Sequence, residues 1–442
     1  MKKYFGTDGI RGRSNQFPIT AETCLKIGMA IGAKFKNGSH RHRVVIGKDT
    51  RRSGYMIENA LTAGFAAVGM DSFLLGPVPT PAVSMLTKSL RADIGIMISA
   101  SHNPYYDNGI KIFDGNGEKL SDDVEMEIEK LIEGDLNDHL ADPRHVGKAT
   151  RLDEGRHRYI EFVKNSFGKD KNLDGLKIVL DCSNGAAYSI APNVFWELGA
   201  EVVAIHNAPD GYNINENCGS TSPHSLAQKV VESQADIGIA LDGDADRLVV
   251  VDEKGTVIEG DKLIALIAEK LHDEGSLEKD TVVITHMSNL ALENHLSYMG
   301  INAVRTDVGD RYVLEEIKNS GYNFGAEQSG HIIFGDYSTT GDGLVAALQV
   351  LSILKEKDCK MSELANIYQS NPQKLENIEL TGANPLENPA FQEFVAEKQA
   401  ELGNKGRIFI RKSGTQNLLR ILIEHESQAE LEKVMAEILT QI

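Results

Sequence analysis

Three aspartates at alternate positions in the stretch DGDADR, namely Asp242, Asp244 and Asp246, form the clearest set of chemical groups in the chain. Carboxylates this close repel one another, and hard divalent cations prefer such oxygen ligands. An extended turn would point all three side chains one way, with Gly243 and Ala245 leaving room beside them. The spacing therefore predicts a divalent-cation site, with an acidic surface turn as the alternative.

An EF-hand calcium loop is a competing interpretation, because Glu253 stands at its twelfth position. The sixth position of that loop requires glycine for a sharp turn and here holds Arg247. The residues that follow, Leu248 to Val251, have the pattern of a strand. Three protein oxygens leave room for water or phosphate oxygens, which is more typical of magnesium than of calcium.

Ser101 is the second candidate group and lies in ISASHNP, a turn of small residues behind an apolar run. A hydrolase serine usually stands in a G-x-S-x-G turn with a base beside it, whereas the neighbours here are Ala100 and His102. An adjacent histidine in an extended turn is expected to point away from the serine. Ser101 is therefore either a turn-stabilising or helix-capping hydroxyl, or a carrier of a phosphoryl group that faces a divalent cation.

An internal repeat favours the second alternative. The sequence ADIGI occurs at 92–96 and again at 235–239, each time followed by two apolar residues and a loop, and a looser copy covers 322–331. In this register Ser101 corresponds to Asp244. Ligands of parallel α/β sheets gather beyond the carboxyl ends of the strands, so the repeat predicts three equivalent loops that face one cleft.

The elements that must position these loops alternate between strands and helices. The runs RVVIG (43–47), KIVLD (177–181) and TVVIT (281–285) are each followed by a polar turn and an amphipathic segment, which is typical of βα units in a mostly parallel sheet. The last seventy residues differ, with strands predicted at NIEL, RIFIRK and LLRILIE and helices at 389–402 and from Gln428. That order indicates a small α+β domain.

Composition and charge exclude several classes of function. A chain of 442 residues with a net charge of -18 lacks the basic surface that binds nucleic acid. No apolar run has the length of a membrane span, and no secretory signal precedes Asp8. The four cysteines have no C-x-x-C spacing, which indicates a reduced, cytoplasmic protein. Two basic clusters, at 48–54 and 411–415, are typical of solvated loops on composition alone.

Eight stretches in this order resemble the α-D-phosphohexomutase family over essentially the whole chain. The resemblance implies three duplicated α/β domains with mostly parallel, mixed sheets and a smaller C-terminal α+β domain around a central cleft. The eight stretches are YFGTDGIRG (4–12), GKDTRRSG (47–54), GPVPTPAV (76–83), ISASHNPYYDNGIK (98–111), DGDADR (242–247), VGDRYV (308–313), GAEQSGH (325–331) and RKSGT (411–415).

The resemblance also implies what each domain carries. Residues 1–150 would hold the phosphoserine loop, 151–253 the metal loop, 254–370 the sugar-recognition loop and 371–442 the phosphate-binding loop. One Mg2+ would be bound by the phosphate on Ser101 and by Asp242, Asp244 and Asp246. The catalytic residues implied are Ser101, Arg11, His102, Lys111 and His331, with Lys111 and His331 as candidate bases. The substrate-binding residues implied are Arg247, Glu327, Ser329, Arg411, Ser413, Gly414, Thr415 and Arg420.

The implied activity is the interconversion of glucosamine 6-phosphate and glucosamine 1-phosphate through glucosamine 1,6-bisphosphate, which supplies UDP-N-acetylglucosamine for cell-wall synthesis. The partner is thus a small sugar phosphate, and a homodimer is plausible. Sibling mutases for mannose or glucose phosphates are the first alternative, although Gln328 and Ser329 fit the glucosamine branch better, and a magnesium-dependent phosphatase is the second. Gln416 and Asn417 depart from the Glu-Pro pair usual after RKSGT, which predicts a more mobile loop.

Overall fold

The computed structural model of the chain describes residues 2–6, 8–380, 384–412 and 418–442. Four β-sheets follow one another along the sequence. The first three mix parallel strands with an antiparallel return strand, and the fourth is antiparallel throughout. Within the described ranges, no helix has the length and apolar character needed to cross a membrane.

The first sheet has seven strands in the order β1-β2-β6-β5-β3-β4-β7. The helices α1 and α2 pack closely against one another in this unit. The strands are β1 Phe5–Gly6, β2 Gly9–Arg13, β3 Arg43–Lys48, β4 Asp71–Pro77, β5 Ile94–Ile98, β6 Asp107–Asp114 and β7 Ala149–Arg151; the helices are α1 Ala21–Phe35, α2 Ser53–Ala67, α3 Thr80–Ser89 and α4 Asp122–Glu133, followed by a 3-10 turn at Asn137–His139.

The second and third sheets each have four strands, in the orders β11-β10-β8-β9 and β13-β12-β14-β15. The second unit contains β8 Lys177–Asp181, β9 Glu201–Ile205, β10 Ile237–Leu241 and β11 Leu248–Asp252, with α5 Gly155–Phe167, α6 Ile190–Glu197 and α7 His224–Ser233. The third contains β12 Thr281–Thr285, β13 Asn302–Thr306, β14 Phe324–Ala326 and β15 Ile332–Phe334, with α8 Gly260–Asp273, α9 Leu290–Tyr298, α10 Asp310–Ser320, α11 Gly343–Lys357 and α12 Met361–Leu364 and a 3-10 turn at Glu278–Asp280.

The fourth sheet has three strands in the order β16-β18-β17, with a hydrophobic core of its own that includes Leu419 and Val434. A larger core runs without a break through the first three units. The fourth unit contains β16 Gln373–Glu379, β17 Gly406–Lys412 and β18 Leu418–His425, with α13 Pro389–Leu402 and α14 Gln428–Leu439 and a 3-10 turn at Pro385–Glu387.

The predicted elements are confirmed where the apolar pattern is long. The strands β8 and β12 have the predicted bounds, and so does α13. The segment NIEL covers only the end of β16, because the earlier part of that strand alternates exposed and half-buried residues and lacks an apolar run.

The internal repeat is confirmed as three hairpins. Each of β5, β10 and β14 pairs in parallel with a neighbour and then returns through an antiparallel strand, β6, β11 or β15. Both β5 and β10 are buried along their whole length, as expected of strands covered on two faces. The three loops between the paired strands carry Ser101, Asp242 to Asp246, and Glu327.

Candidate active site

A cavity of about 490 Å³ lies where the three hairpin loops meet, and each of the four units contributes to its wall. Its lining is rich in charged side chains of both signs, which is suited to a charged ligand. The lining residues are Asp8, Arg11, Ser101, His102, Asp246, Arg247, Thr285, Met287, Val308, Gly309, Asp310, Glu327, Gln328, Ser329, His331, Arg411 and Arg420.

Ser101 is buried at the base of this cavity, with its hydroxyl donating to Asp242 Oδ2 over 2.7 Å. Its backbone is left-handed, with φ of 51°, and its N–H donates to Ser99 Oγ over 2.9 Å. The expectation that His102 points away from the serine is wrong, because its Nδ1 lies 3.3 Å from Ser101 Oγ. The reason is the left-handed turn, which brings together two side chains that an extended chain would separate.

Two side chains from different units hold the backbone of the serine loop. The guanidinium of Arg51, which is fully buried, donates to the carbonyls of Ser101 and Asn103. Asn215 of the second unit donates from Nδ2 to the same two carbonyls, over 2.9 and 3.1 Å. The solvated-loop interpretation of the cluster at 48–54 is therefore wrong for Arg51 and for Lys48, whose ammonium pairs with Glu58 inside the protein.

The three aspartates converge as predicted, with one carboxylate oxygen of each within 4.8 Å of the others, and all three are buried. The turn is tight instead of extended, because Ala245 is left-handed with φ of 56°. Gly243 allows the aspartate loop and the serine loop to lie in direct contact, because a Cβ at this position would be only 2.5 Å from the carbonyl oxygen of Ser101.

The carboxylate cluster fits a divalent cation. Burial, followed by the charges of Asp246 and Asp244, holds the pKa of Asp242 well above its ordinary value. Asp244 Oδ1 and Asp246 Oδ1 are buried and have no hydrogen-bond partner among the described residues. Buried carboxylate oxygens without partners are costly unless a cation satisfies them, and oxygen donors of this kind suit Mg2+.

Lys111 is the main positive charge beside the cluster. Its ammonium lies 2.8 Å from Asp244 Oδ2, 3.0 Å from Asp246 Oδ2 and 3.4 Å from Asp8 Oδ2. Burial by itself lowers the pKa of Lys111, but the carboxylates of Asp244, Asp246 and Asp8 raise it well above its ordinary value. In this structure Lys111 is therefore a cation that neutralises the cluster.

The two histidines of the cavity are held in opposite electrostatic surroundings. Burial, followed by the charges of Arg247 and Arg11, lowers the pKa of His102 to about 4. Burial also acts to lower the pKa of His331, but Asp246 and Asp310 raise it on balance. The backbone N–H of Gly341 donates to His331 Nε2 over 3.1 Å, which places the proton of a neutral ring on Nδ1, 3.7 Å from Asp246 Oδ1.

The third unit contributes the loop between β14 and β15. Glu327 is almost fully buried in the cavity wall and accepts a hydrogen bond from the backbone N–H of Gly309 over 3.1 Å. Burial, followed by the charge of Asp310, raises its pKa. Ser329 is exposed at the cavity, and Arg247 lines it from the second unit.

The fourth unit contributes two arginines on neighbouring strands. Arg411 of β17 and Arg420 of β18 are directly opposite in the antiparallel register, and both line the cavity. Burial, followed by the charge of Arg420, lowers the pKa of Arg411, and Arg420 Nε has no hydrogen-bond partner in the part of the chain that the structure describes. Two facing cations of this kind favour an anionic ligand. The other predicted residues of this loop lie outside the described residues: Ser413, Gly414, Thr415, Gln416 and Asn417.

Several functional side chains were missed by the sequence analysis. Arg11 forms an ion pair with Asp8. The ammonium of Lys119 lies 2.6 Å from Asp8 Oδ1 and 2.5 Å from Asp310 Oδ2, so it pairs with both carboxylates. Asp8 and Asp310 stand inside the quoted stretches at 4–12 and 308–313, which is a signal that could have found them. Lys119 and Asn215 stand in no such stretch, and only the fold brings them to the site.

Comparisons with known proteins cover the whole chain. Models of the phosphoglucomutase/phosphomannomutase family match it in four parts: alpha/beta/alpha domain I at 2–138, domain II at 157–255, domain III at 259–371 and the C-terminal domain at 360–441. A phosphoglucosamine mutase of Chelativorans sp. (strain BNC1) is 55% identical over 441 residues, which are 100% of this chain and 98% of that protein. One of Agrobacterium fabrum (strain C58 / ATCC 33970) is 54% identical over 437 residues, 99% and 97% respectively.

Solved structures show the same fold at lower identity. A phosphoglucomutase/phosphomannomutase family protein from Burkholderia thailandensis superposes with a TM-score of 0.82 and 24% identity, over 99% of this chain and 96% of that one. The N-acetylphosphoglucosamine mutase of Aspergillus fumigatus, solved in complex with GlcNAc-6P and magnesium, has a TM-score of 0.68 and 17% identity, over 99% and 95%.

Proposed function

Because the chain belongs to the phosphoglucomutase/phosphomannomutase family, we propose that it interconverts glucosamine 6-phosphate and glucosamine 1-phosphate. It is an isomerase that moves a phosphoryl group within one sugar. The observation that carries the proposal is the position of Ser101, whose hydroxyl lies 2.7 Å from Asp242 and which lines the same cavity as Arg411 and Arg420. Full-length relatives with the corresponding activity in their names support the choice of sugar.

The reaction consists of two transfers that leave the enzyme unchanged. The O1 hydroxyl of glucosamine 6-phosphate attacks the phosphorus on phosphorylated Ser101, so the O1–P bond forms and the P–Oγ bond breaks. The resulting 1,6-bisphosphate turns around, and Ser101 Oγ attacks the 6-phosphoryl group. The O6–P bond breaks, O6 takes a proton, and glucosamine 1-phosphate leaves.

Asp242, Asp244 and Asp246 would hold one Mg2+ together with the phosphate on Ser101. Such a cation supplies charge neutralisation for phosphate oxygens during transfer. Lys111 adds a fixed positive charge beside the Asp244 and Asp246 carboxylates. Arg11 and Arg247 line the same cavity and would stabilise the remaining charge of the transferred group.

The two ends of the sugar phosphate would be recognised by different units. Glu327 and Ser329 would bind the hydroxyl and amino groups, and the carboxylate of Glu327 would attract an ammonium that a plain hexose phosphate lacks. Arg411 and Arg420, with Ser413, Gly414 and Thr415, would bind the phosphate that is not transferred. Because there is one binding place for the phosphate that is not transferred and one phosphoryl donor, Ser101, each phosphate of the bisphosphate must be able to occupy either place.

Proton movement has acceptors close to Ser101. The hydroxyl of Ser101 lies 2.7 Å from Asp242 Oδ2 and 3.3 Å from His102 Nδ1. Because Asp242 would be a ligand of the cation, His102 is the acceptor that remains free to take the hydroxyl proton. His331 remains the predicted candidate for the proton of the attacking sugar hydroxyl. Lys111, the other predicted candidate, is held as an ammonium by Asp244 and Asp246 and has no lone pair with which to accept that proton. We further propose a cytoplasmic location, where the product supplies amino-sugar nucleotide synthesis for the cell wall, and a homodimer remains a prediction.

The proposed function is tested by product analysis with purified, magnesium-loaded enzyme and a trace of sugar 1,6-bisphosphate. Glucosamine 6-phosphate, glucose 6-phosphate and mannose 6-phosphate are compared at equal concentration, and both sugar 1-phosphate and inorganic phosphate are measured. We expect glucosamine 1-phosphate with total organic phosphate conserved, and stimulation by the bisphosphate. Intact mass before and after phosphatase treatment should show one phosphate, with peptide mapping to Ser101.

Two outcomes would contradict this function. Higher kcat/KM for mannose or glucose phosphate would assign the chain to a sibling mutase. Release of inorganic phosphate in step with substrate loss would identify a phosphatase.

A further inference from the structure

A second cluster of possible metal ligands lies in the second unit, outside the cavity. Asp181 ends β8, His206 follows β9, and Cys218 lies in the loop that leads towards α7. One ligand atom of each lies within 4.8 Å of the other two. Asp181 and Cys218 are fully buried, whereas the His206 side chain is 29% exposed and gives solvent access from one side.

The Asp181 carboxylate is fixed in place by the backbone. Its Oδ1 accepts the N–H of Ser183 over 2.8 Å, and its Oδ2 accepts the N–H of Gly219 over 2.9 Å. Each oxygen retains a second lone pair. Hydrogen bonds that orient a ligand in this way are the usual outer support of a metal site.

His206 supplies an atom whose bonding is incomplete. Its Nδ1 is buried and has no hydrogen-bond partner of normal geometry among the described residues, although Asp181 Oδ2 is only 3.1 Å away. This separation is close to the distance of about 3.3 Å between two ligand atoms of a tetrahedral zinc site with bonds near 2.0 Å. The backbone of His206 is left-handed, with φ of 47°, and its carbonyl accepts the N–H of Asn184, so the fold holds the ring in this position.

We propose that Asp181, His206 and Cys218 form a site for a soft divalent transition metal of the Zn2+ class. Carboxylate, imidazole and thiolate are the donors that Zn2+ takes in proteins, and the thiolate separates this set from the all-oxygen cluster at Asp242, Asp244 and Asp246. Binding releases the Cys218 thiol proton to solvent, and the two anionic ligands then balance the charge of the dication. Water can reach a fourth position along the exposed side of His206.

The competing explanation is an ion pair between protonated His206 and Asp181. The carboxylate of Asp181 does raise the pKa of His206, and burial raises that of the Cys218 thiol to about 12, as expected of the trio without metal. An ion pair, however, does not account for the Cys218 sulfur, which lies within 4.8 Å of both partners. It also leaves His206 Nδ1 without a properly directed bond.

A metal bound here would stabilise the second unit next to the loop that carries Asp242, Asp244 and Asp246. The N–H of Ser220, two residues after Cys218, donates to the carbonyl of Leu241 over 3.0 Å, and Leu241 precedes Asp242. A bound metal would join β8, β9 and this loop, and would raise the thermal stability of the whole chain by mass action.

The experiment uses Co2+ as the probe, with full-length protein and excess Mg2+ to fill the oxygen-ligand site. We expect one equivalent of Co2+ to produce a near-ultraviolet thiolate-to-cobalt charge-transfer band, and one equivalent of Zn2+ to remove it. Cys218→Ser should abolish the band, and His206→Gln should weaken Co2+ affinity at least about tenfold. Cys182→Ser is the matched control, since Cys182 is equally buried nearby but is not a member of the trio, and it should retain the band.

Absence of the band in the unmodified protein would overturn the proposal in favour of the ion pair. A band that persists in Cys218→Ser, or disappears in Cys182→Ser, would overturn the assignment of the thiolate. The readout is spectroscopic and uses no sugar phosphate, so its failure leaves the mutase function untouched. If Cys218→Ser fails to fold, the titration of the unmodified protein and of His206→Gln still decides.

Discussion

Two groups of residues at the cavity are built differently. The transfer side, Ser101 with Asp242, Asp244, Asp246 and Lys111, is buried, and Lys111 of the first unit pairs there with Asp244 and Asp246 of the second. The grip side, Arg411 and Arg420, is half-buried on one sheet, with like charges directly opposite. Under the proposed function, this difference means that the transfer side is preorganised, whereas the grip side would be completed by the charge of its ligand.

This comparison separates two kinds of kinetic effect. Loss of a group that acts only during transfer lowers kcat, whereas loss of a group that binds substrate and transition state equally raises KM. Substitutions on the transfer side are therefore expected to act mainly on kcat, and those on the grip side mainly on KM.

Ser101→Ala is expected to have the largest effect. Without the hydroxyl no phosphoryl group can be carried, so turnover should fall at least about 10⁴-fold. Coupled-assay kinetics and intact mass would measure the loss of activity and of the phosphate. Ser72→Ala is the control, because Ser72 is a buried serine of the same unit whose Oγ has no hydrogen-bond partner among the described residues, and this variant should still take up phosphate. Phosphorylation of Ser101→Ala would contradict the assignment.

Asp244→Asn should lower kcat by about 10²-fold or more, because one charged ligand of the proposed cation is lost. Removal of magnesium by a chelator should give a similar loss in the unmodified enzyme, and added Mg2+ should restore it. The matched control is Asp252→Asn, a buried carboxyl group that accepts turn hydrogen bonds from Lys254 and Thr256. An equal loss of kcat in Asp244→Asn and Asp252→Asn would show that any buried carboxyl group matters as much as those of the transfer side.

Arg411→Ala should raise KM for glucosamine 6-phosphate by about 10- to 100-fold, as expected for loss of a charge-assisted contact to phosphate. The kcat should change much less. Lys412→Ala, on the exposed neighbour, is the control and should leave KM unchanged. A fall in kcat at constant KM would place Arg411 functionally on the transfer side and break the comparison.

Asn215→Ala should lower kcat by about 5- to 30-fold, since two carbonyls of the serine loop lose a donor at a cost of about 1–2 kcal/mol. KM should stay nearly constant, because Asn215 does not line the cavity. Glu216→Ala, on the exposed next residue, is the control. An unchanged kcat would show that Arg51 alone holds the loop.

Asp342→Asn should have the smallest effect on turnover, because Asp342 caps α11 through the N–H groups of Leu344 and Val345 and belongs to neither side. Burial raises its pKa from 3.8 to about 6, so the folded protein binds this proton more tightly than the unfolded chain. Its contribution to stability is present below pH 4 and is lost as the pH rises to about 6, by up to about 3 kcal/mol. Urea unfolding should show a smaller loss over this range in the variant.

Much of the fold could be predicted because several of its strands have an apolar run at their centre. The strands KIVLD and TVVIT are buried along almost their whole length. Their continuous apolar residues are typical of a strand covered on both faces and do not fit a surface segment. The strand around NIEL was only partly predicted, since alternation of half-buried and exposed residues in an edge strand gives a weak pattern. The domain boundaries after residues 150, 253 and 370 remain predictions.

The candidate site was predicted where its residues are close in sequence. The alternate spacing of Asp242, Asp244 and Asp246 predicted the carboxylate cluster, and the internal repeat predicted that Ser101 lies near it. The position of His102 was predicted wrongly because no sequence pattern showed the left-handed backbone at Ser101. Asn215 could not be found at all, because its hydrogen bonds span 114 and 112 residues of chain and depend on how two units meet.

The left-handed backbone of Ser101 also explains why this position is occupied by serine and not by its closest chemical relative. Threonine offers an equivalent oxygen nucleophile, but β-branched residues are strongly disfavoured at positive φ, where the extra methyl group crowds the main chain. If Ser101 carries the phosphate as proposed, the stereochemistry of the backbone at this position favours serine as the carrier, and a threonine variant would need a reshaped loop before it could regain activity.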